Sequence, residues 1–193
     1  MEEIMLFPLG SIVMPEGKMK LRIFEPRYRR MVAECSKADS GFGLCLFDSS
    51  GNQPANPLSS YGTWVKIVDF ETLSDGLLGI TVVGVKRFCI HSVRSEFDGL
   101  RKAKVEWLPT WSVREMEDDE MFLAQRLQKV YEQFPQLGDL YTHCFYDDAS
   151  WVAQRWLELM PLTNEQFDQL SQHSNCETAI SYLVNAKEFF DHS

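Results

Sequence analysis

The sequence predicts an α+β fold with segregated halves, rich in strands from residue 3 to about 108 and helical beyond about 111. Three observations carry this reading. The runs "MKLRIF" and "LRKAKVEW" alternate apolar and polar residues with the period of two of half-buried strands. Two Asp-Gly pairs each sit between strand-like runs, and past Pro109 the apolar period lengthens to that of a helix. A chain of 193 residues, 45% of them hydrophobic, can bury a substantial core. No internal repeat is present.

In "MKLRIF" the side chains of Met19, Leu21 and Ile23 share one face and Lys20 and Arg22 the other. "GFGLCLFD" and "GTWVKIVDFETL" are further strand-forming runs, and the Pro/Ser/Asn/Gly segment between them, "DSSGNQPANPLSSYG", reads as a loop. Asp75-Gly76 and Asp98-Gly99 carry the chemistry of type I′ hairpin turns, in which both central residues take positive φ. Two successive hairpins make an antiparallel meander. Its last strand sets Ala103, Val105 and Trp107 against Lys102, Lys104 and Glu106.

The acidic run Glu117, Asp118, Asp119, Glu120 complements a helix dipole and precedes Leu123, Leu127, Val130, Tyr131 and Phe134 at helical spacing, until Pro135 stops the helix. A second helix follows the capping acids Asp147 and Asp148, from about Ala149 to Met160. In it Trp151 and Trp156 point to different faces, one of them a candidate exposed contact, though core packing is the stronger reading. Thr163 with Gln166, and Ser174 with Glu177, have capping-box spacing ahead of two further helices, the last with an apolar stripe of Ala179, Ile180, Leu183 and Val184.

"LRIFEPRYRRM", residues 21–31, joins strand to helix. Pro26 cannot continue a ladder but fits a first helical turn, after which Tyr28, Met31, Val32 and Cys35 form an apolar face. Glu25 stands at the cap, placed to accept backbone N–H bonds and to pair with Arg22 or Arg27, while Arg29 and Arg30 fall on the solvated side. A structural role for Glu25 and Arg27 outweighs a catalytic one, because such a pair at a helix start needs no substrate to explain it.

The stretch "LFPLGSIVMPEGKMKLRIFEPRYRRMV" resembles the opening of the Lon protease N-terminal, or substrate-binding, domain. The matching residues are Phe7, Pro8 and Leu9, then Pro15, then Leu21, Ile23, Phe24, Glu25, Arg27 and Tyr28. The likeness continues through Gly62, Thr63, Asp75, Gly76, Gly84, Arg87, Phe88 and Ile90, and "LELMPLTNEQF" resembles the family's Leu-Pro-Leu helix junction. The resemblance implies a PUA-like antiparallel β-barrel over 1–110 with one short helix, a helical subdomain over 111–193, and the two together as one domain. It also implies a stand-alone recognition module without the ATPase and protease modules of full-length Lon enzymes.

Composition narrows the chemistry. A net charge of −9 and a pI near 4.9 argue against nucleic acid, which needs clustered cations. Binding to RNA would require a basic face built from Arg87, Arg94, Arg101, Lys102 and Lys104. Five widely spaced cysteines, without CxxC, suit buried thiols in a reducing compartment. The acidic N-terminus "MEEIMLFPLG" fits neither a secretory signal nor a membrane span, so a cytoplasmic location is expected. No phosphate loop, G-x-S-x-G elbow or H-E-x-x-H motif occurs, and the four histidines lack partners at metal-ligand spacing, so no enzyme, cofactor or metal is expected.

The leading expectation is therefore a non-enzymatic module that binds polypeptide clients or a protein partner linked to proteolysis or quality control. Adaptable Met and aromatic side chains suit such binding, which makes Met14, Met19, Phe24, Trp64 and Trp107 the candidate contacts. Pro8, Pro15, Arg22, Glu25, Pro26, Arg27, Tyr28, Gly84 and Arg87 form the structural motif. The alternative is a small-molecule-binding or enzymatic PUA-like domain, which would need a deep pocket with convergent polar groups.

Overall fold

A computed structural model describes residues 1–48 and 57–186. The strands are β1 (Glu2–Leu9), β2 (Lys18–Ile23), β3 (Phe42–Phe47), β4 (Leu58–Thr72), β5 (Leu78–Ser95) and β6 (Arg101–Trp107), with α1 (Pro26–Lys37) between β2 and β3. There follow α2 (Met121–Gln133), α3 (Pro135–Gly138), α4 (Ala149–Leu159), α5 (Asn164–Ser171) and α6 (Glu177–Asn185). The fold is thus α+β, strands first and helices after, as the change of period predicts.

The sheet runs β2-β5-β4-β3-β1-β6, and a further β5–β6 pairing closes the ring. The ladders are antiparallel except for β1 with β3, which run parallel from Leu6↔Gly43 to Leu9↔Leu46. The long strand β5 makes closure possible. Its first half pairs with β2, from Leu78↔Ile23 to Val83↔Lys18, and its second half pairs with β6, from Phe88↔Trp107 to Ser95↔Arg101, along the same edge. Strand β6 in turn pairs with Glu2–Leu6 of β1. The barrel is therefore joined by β6 at one end. At the other end no ladder links Phe7–Leu9 of β1 to β2 among the described residues.

Several local expectations change on folding. The hairpins fall at Asp75-Gly76 and Asp98-Gly99, but only the glycines have positive φ, +81° and +84°. Gly76 N–H bonds Leu73 C=O and Leu73 N–H bonds Leu77 C=O, with the same pattern from Glu96 to Leu100. These are three-residue loops closed by a left-handed glycine, so the aspartates keep ordinary backbone angles. Strand β4 begins at Leu58, so "LSSYG" at the end of the supposed loop is strand, held by Asp168 of α5, whose carboxylate accepts the N–H groups of Ser60 (2.8 Å) and Tyr61 (3.3 Å). The rest of that loop expectation, residues 49–56, lies outside the described residues, as does His192.

Helix starts also divide. Asp148 caps α4 by accepting Ser150 N–H (2.9 Å), and Thr163 with Gln166 forms the full capping box on α5. The second box does not form: α6 begins two residues later than its spacing implies, with Cys176 at the cap and Asn175 accepting Glu177 N–H (3.2 Å). Trp151 and Trp156 are both buried, which settles them as core; α4 is buried at every position from Ala149 to Leu157. One apolar cluster runs from Phe7, Ile23, Met31 and Phe42 through Leu123, Trp151 and Phe167 to Leu183, and a smaller one around Phe88 packs the other end of the barrel.

Two buried arginines tie the helices to the barrel. Arg87 of β5, 2% exposed, donates to the carbonyls of Ser171, His173 (3.1 Å) and Pro109 (2.5 Å) and stacks on Trp111. Arg155 of α4 is fully buried and binds Glu158 (2.9 and 3.0 Å) and Pro15 C=O (2.7 Å). Glu158 also accepts Met14 N–H at 2.7 Å; burial pushes its carboxyl up to about 7, against the pull of Arg155.

Candidate functional site

The unjoined seam between β1 and β2 opens into a cleft of about 330 Å³. Its floor is aromatic and apolar, built from Phe7 and Leu9 at the end of β1, Phe47 at the end of β3 and Tyr28 in the first turn of α1. Phe7 and Tyr28 stack with centroids 4.0 Å apart, which fixes the helix start against the strand. Phe24 stands at the mouth, 61% exposed, because Pro26 ends β2 just as its alternation would turn Phe24 away from the core.

The rim is charged. Arg22 pairs with Asp75 of the β4–β5 turn, and Arg27 holds Glu25 through Nε (2.8 Å) and Nη2 (2.7 Å) while Nη1 reaches Gly99 C=O (3.2 Å). Glu25 is indeed the helix cap residue, but it caps through its backbone carbonyl, leaving its carboxylate for Arg27 rather than for helix N–H groups. Arg101 at the start of β6 lies 5.7 Å from the Phe47 ring and has no carboxylate partner among the described residues. Burial raises the Tyr28 phenol, so it stays neutral in the cleft at physiological pH.

Helix α1 is held in place by Arg30, which is half-buried and not on the solvated side. It binds Asp98 (2.8 and 3.0 Å), Glu96 (2.6 Å) and Glu34 (2.8 Å), with Phe97 beneath it at 5.3 Å. These bonds fasten the cleft wall to the β5–β6 turn and hold the Glu96 and Asp98 carboxyls below their ordinary range.

The five candidate contacts do not converge. Phe24 is at the seam cleft. Met19 lines a second cleft of about 300 Å³ against Tyr131, Leu137 and Tyr141 of the helical half. Trp64 and Trp107 pair edge to face at 6.3 Å elsewhere on the barrel, with Lys86 3.4 Å from the Trp107 ring. Met14 is fully buried and belongs to the core. The structural motif gathers better: Pro8, Arg22, Glu25, Arg27 and Tyr28 all line the seam cleft, and Pro26 opens the helix beside it. Pro15 bridges to Gly84 on the far side of β2, where a side chain on Gly84 would run into the Met14 carbonyl.

Phe47 and Arg101 escaped the sequence reading, one as an ordinary apolar strand end and the other as a member of a supposed basic face. Three of the five cations that an RNA-binding face would require are engaged otherwise. Arg87 is buried, Arg94 is bound to Glu3 (2.7 and 2.8 Å), and Lys102 to Glu96 (3.0 Å). Among the described residues no cluster of His, Cys, Asp or Glu is placed to hold a metal, and no helix is long and apolar enough to cross a membrane.

A closed barrel backed by helices, with the Phe-Pro-Leu and Ile-Phe-Glu-x-Arg-Tyr residues collected at its seam, defines a Lon substrate-binding type of fold. The chain belongs to the ATP-dependent protease La (LON) substrate-binding domain family, whose model matches residues 3–187. It is similar to a Lon N-terminal domain protein from Xanthomonas campestris, with 31% identity, a TM-score of 0.73, and coverage of 96% of this chain and 98% of that one. The N-terminal domain of a Mycobacterium avium complex Lon protease shares the fold, with a TM-score of 0.59 at 17% identity over 95% of this chain and 97% of that one. Protein cereblon of Danio rerio is 28% identical over 133 residues, which cover 66% of this chain and 29% of cereblon. The chain thus spans under a third of that relative.

Proposed function

We propose that this chain is a non-enzymatic recognition module that binds polypeptide segments at the seam cleft, serving proteolysis or protein quality control. Phe24 carries the reading. A phenylalanine left 61% exposed over an aromatic floor, in a family of substrate-binding domains, is a ready anchor for an apolar side chain of a partner. Arg22, Arg27 and Arg101 around it give the rim polarity that such sites use for orientation. Shallow apolar walls without convergent catalytic groups suit side-chain capture better than turnover of a small molecule.

The test is a fluorescence-anisotropy titration of a labelled, permanently unfolded polypeptide, with a folded protein of similar charge as control. Saturable binding to the unfolded chain alone is expected, and Phe24→Ser weakens it about tenfold, the effect of losing roughly 1.5–3 kcal/mol of apolar burial in part. Equal affinity of wild type and variant would move the site elsewhere. No binding by the wild type would end the reading.

A further inference from the structure

We infer that the outer edge of β2 is a strand-docking edge, on which an extended segment bearing acidic residues adds to the sheet by pairing its backbone with Lys20 and Arg22. The inference rests on the polypeptide-recognition reading and gives it a geometry. Lys18 N–H donates to the hydroxyl of Tyr141 (2.9 Å), so it points away from β5. In an antiparallel ladder the N–H and C=O of one residue face the same way and the direction alternates along the strand. The β2–β5 register is unbroken from Lys18↔Val83 to Ile23↔Leu78. Lys20 and Arg22 therefore also turn their N–H and C=O outward, and among the described residues no strand pairs with that edge.

The surroundings select the occupant. The second cleft lies beside Lys18–Lys20 and the seam cleft beside Arg22–Phe24, so a segment on β2 passes one and then the other. Four steps of strand lead from Lys18 to Arg22, roughly 13 Å at the usual rise. Lys18 and Arg101, one at each cleft, have no carboxylate partner among the described residues, in a chain of net charge −9. Lys20 and Arg22 on the strand itself are already paired with Glu71 (3.5 Å) and Asp75, so the preference for an acidic segment comes from Lys18 and Arg101 at its two ends, which would oppose a basic one. The occupant is thus an extended segment with apolar residues for the clefts and carboxylates near its two ends, bound by β-augmentation.

Lys20→Pro removes the outward N–H while leaving the ladder to β5 whole, since only the outward-facing donor is lost. Lys20→Ala removes the same charge and keeps the N–H. The probe is a labelled synthetic peptide of alternating valine and threonine with glutamate at both ends, and its twin carries lysine at both ends. The expected result is binding of the glutamate peptide only, about tenfold weaker in Lys20→Pro than in Lys20→Ala. Amide hydrogen exchange on the wild type gives a reading that needs no variant: the Lys20 and Arg22 amides slow at least tenfold on adding the peptide. Unchanged exchange there, or equal binding by the two variants, overturns strand addition. If the unfolded polypeptide still binds in a Phe24-dependent way, the recognition reading survives that outcome; if the wild type binds neither peptide nor unfolded polypeptide, both fall.

Discussion

Replacing Arg87 by Met tests whether the barrel and the helical half are fastened by a buried cation. Burial alone drags this guanidinium down to about 10 from the ordinary arginine value, which amounts to a cost of about 3 kcal/mol for keeping it charged. Against that stand three bonds to carbonyl oxygens of Pro109, Ser171 and His173. Hydrogen bonds from a charged donor contribute about 1.5–3 kcal/mol each, so the three together supply roughly 4.5–9. The difference leaves a net contribution of about 3 kcal/mol within a range of roughly 1–6. Methionine fills much of the volume, so little of the loss comes from a cavity. His173 C=O keeps a donor in Trp111 Nε1 (2.8 Å), and the stranded acceptors are those of Ser171 and Pro109. Urea unfolding at pH 7, followed by circular dichroism, should show a loss of about 3 kcal/mol, or a melting temperature lower by roughly 6–12 °C for a chain of this length. A variant as stable as the wild type would mean that desolvation outweighs the carbonyl bonds and that Arg87 is no staple.

Gly84→Ala should destabilise by about 2 kcal/mol, since a methyl group there meets the Met14 backbone and disturbs the bonds Glu16 N–H to Gly84 C=O and Gly84 N–H to Gly17 C=O; a melting temperature within a degree of wild type would refute the close approach. The Arg30 network predicts a pH effect. Glu96 and Asp98 have folded pKa values below their unfolded ones, so their stabilisation is present above the ordinary carboxylate range and is lost as pH falls through it. Arg30→Ala should therefore lower the melting temperature at pH 7 and converge with wild type toward pH 3, and a gap that stays constant across that range would count against the assignment.

Much of this protein is written in short-range pattern. Alternation sets the buried and exposed faces of β2 and β6 because successive strand side chains point to opposite sides whatever the partner. The apolar face of α1, the cap at Asp148 and the box at Thr163 follow equally from local geometry. Of the motif residues in the first 31 positions, five line the seam cleft, the candidate site. Where two local solutions are close in energy, pattern fails: an Asp-Gly pair serves a two-residue or a three-residue loop, and Ser174 lost its cap because α6 starts later.

What only the tertiary structure decided is long-range pairing. The parallel match of β1 with β3, the division of one β5 edge between β2 and β6, and the open seam that results depend on contacts between residues far apart in sequence, to which periodicity is blind. Phe24 and Met14 are both large apolar residues near prolines, yet one is the anchor candidate and the other is core. The sequence by itself placed Phe24 at the strand-to-helix joint made by Pro26; that it faces the cleft while Met14 is core was decided by the ladder of β2 on β5 and by Glu158 and Arg155 binding the Met14 N–H and the Pro15 carbonyl, contacts between residues far apart in sequence.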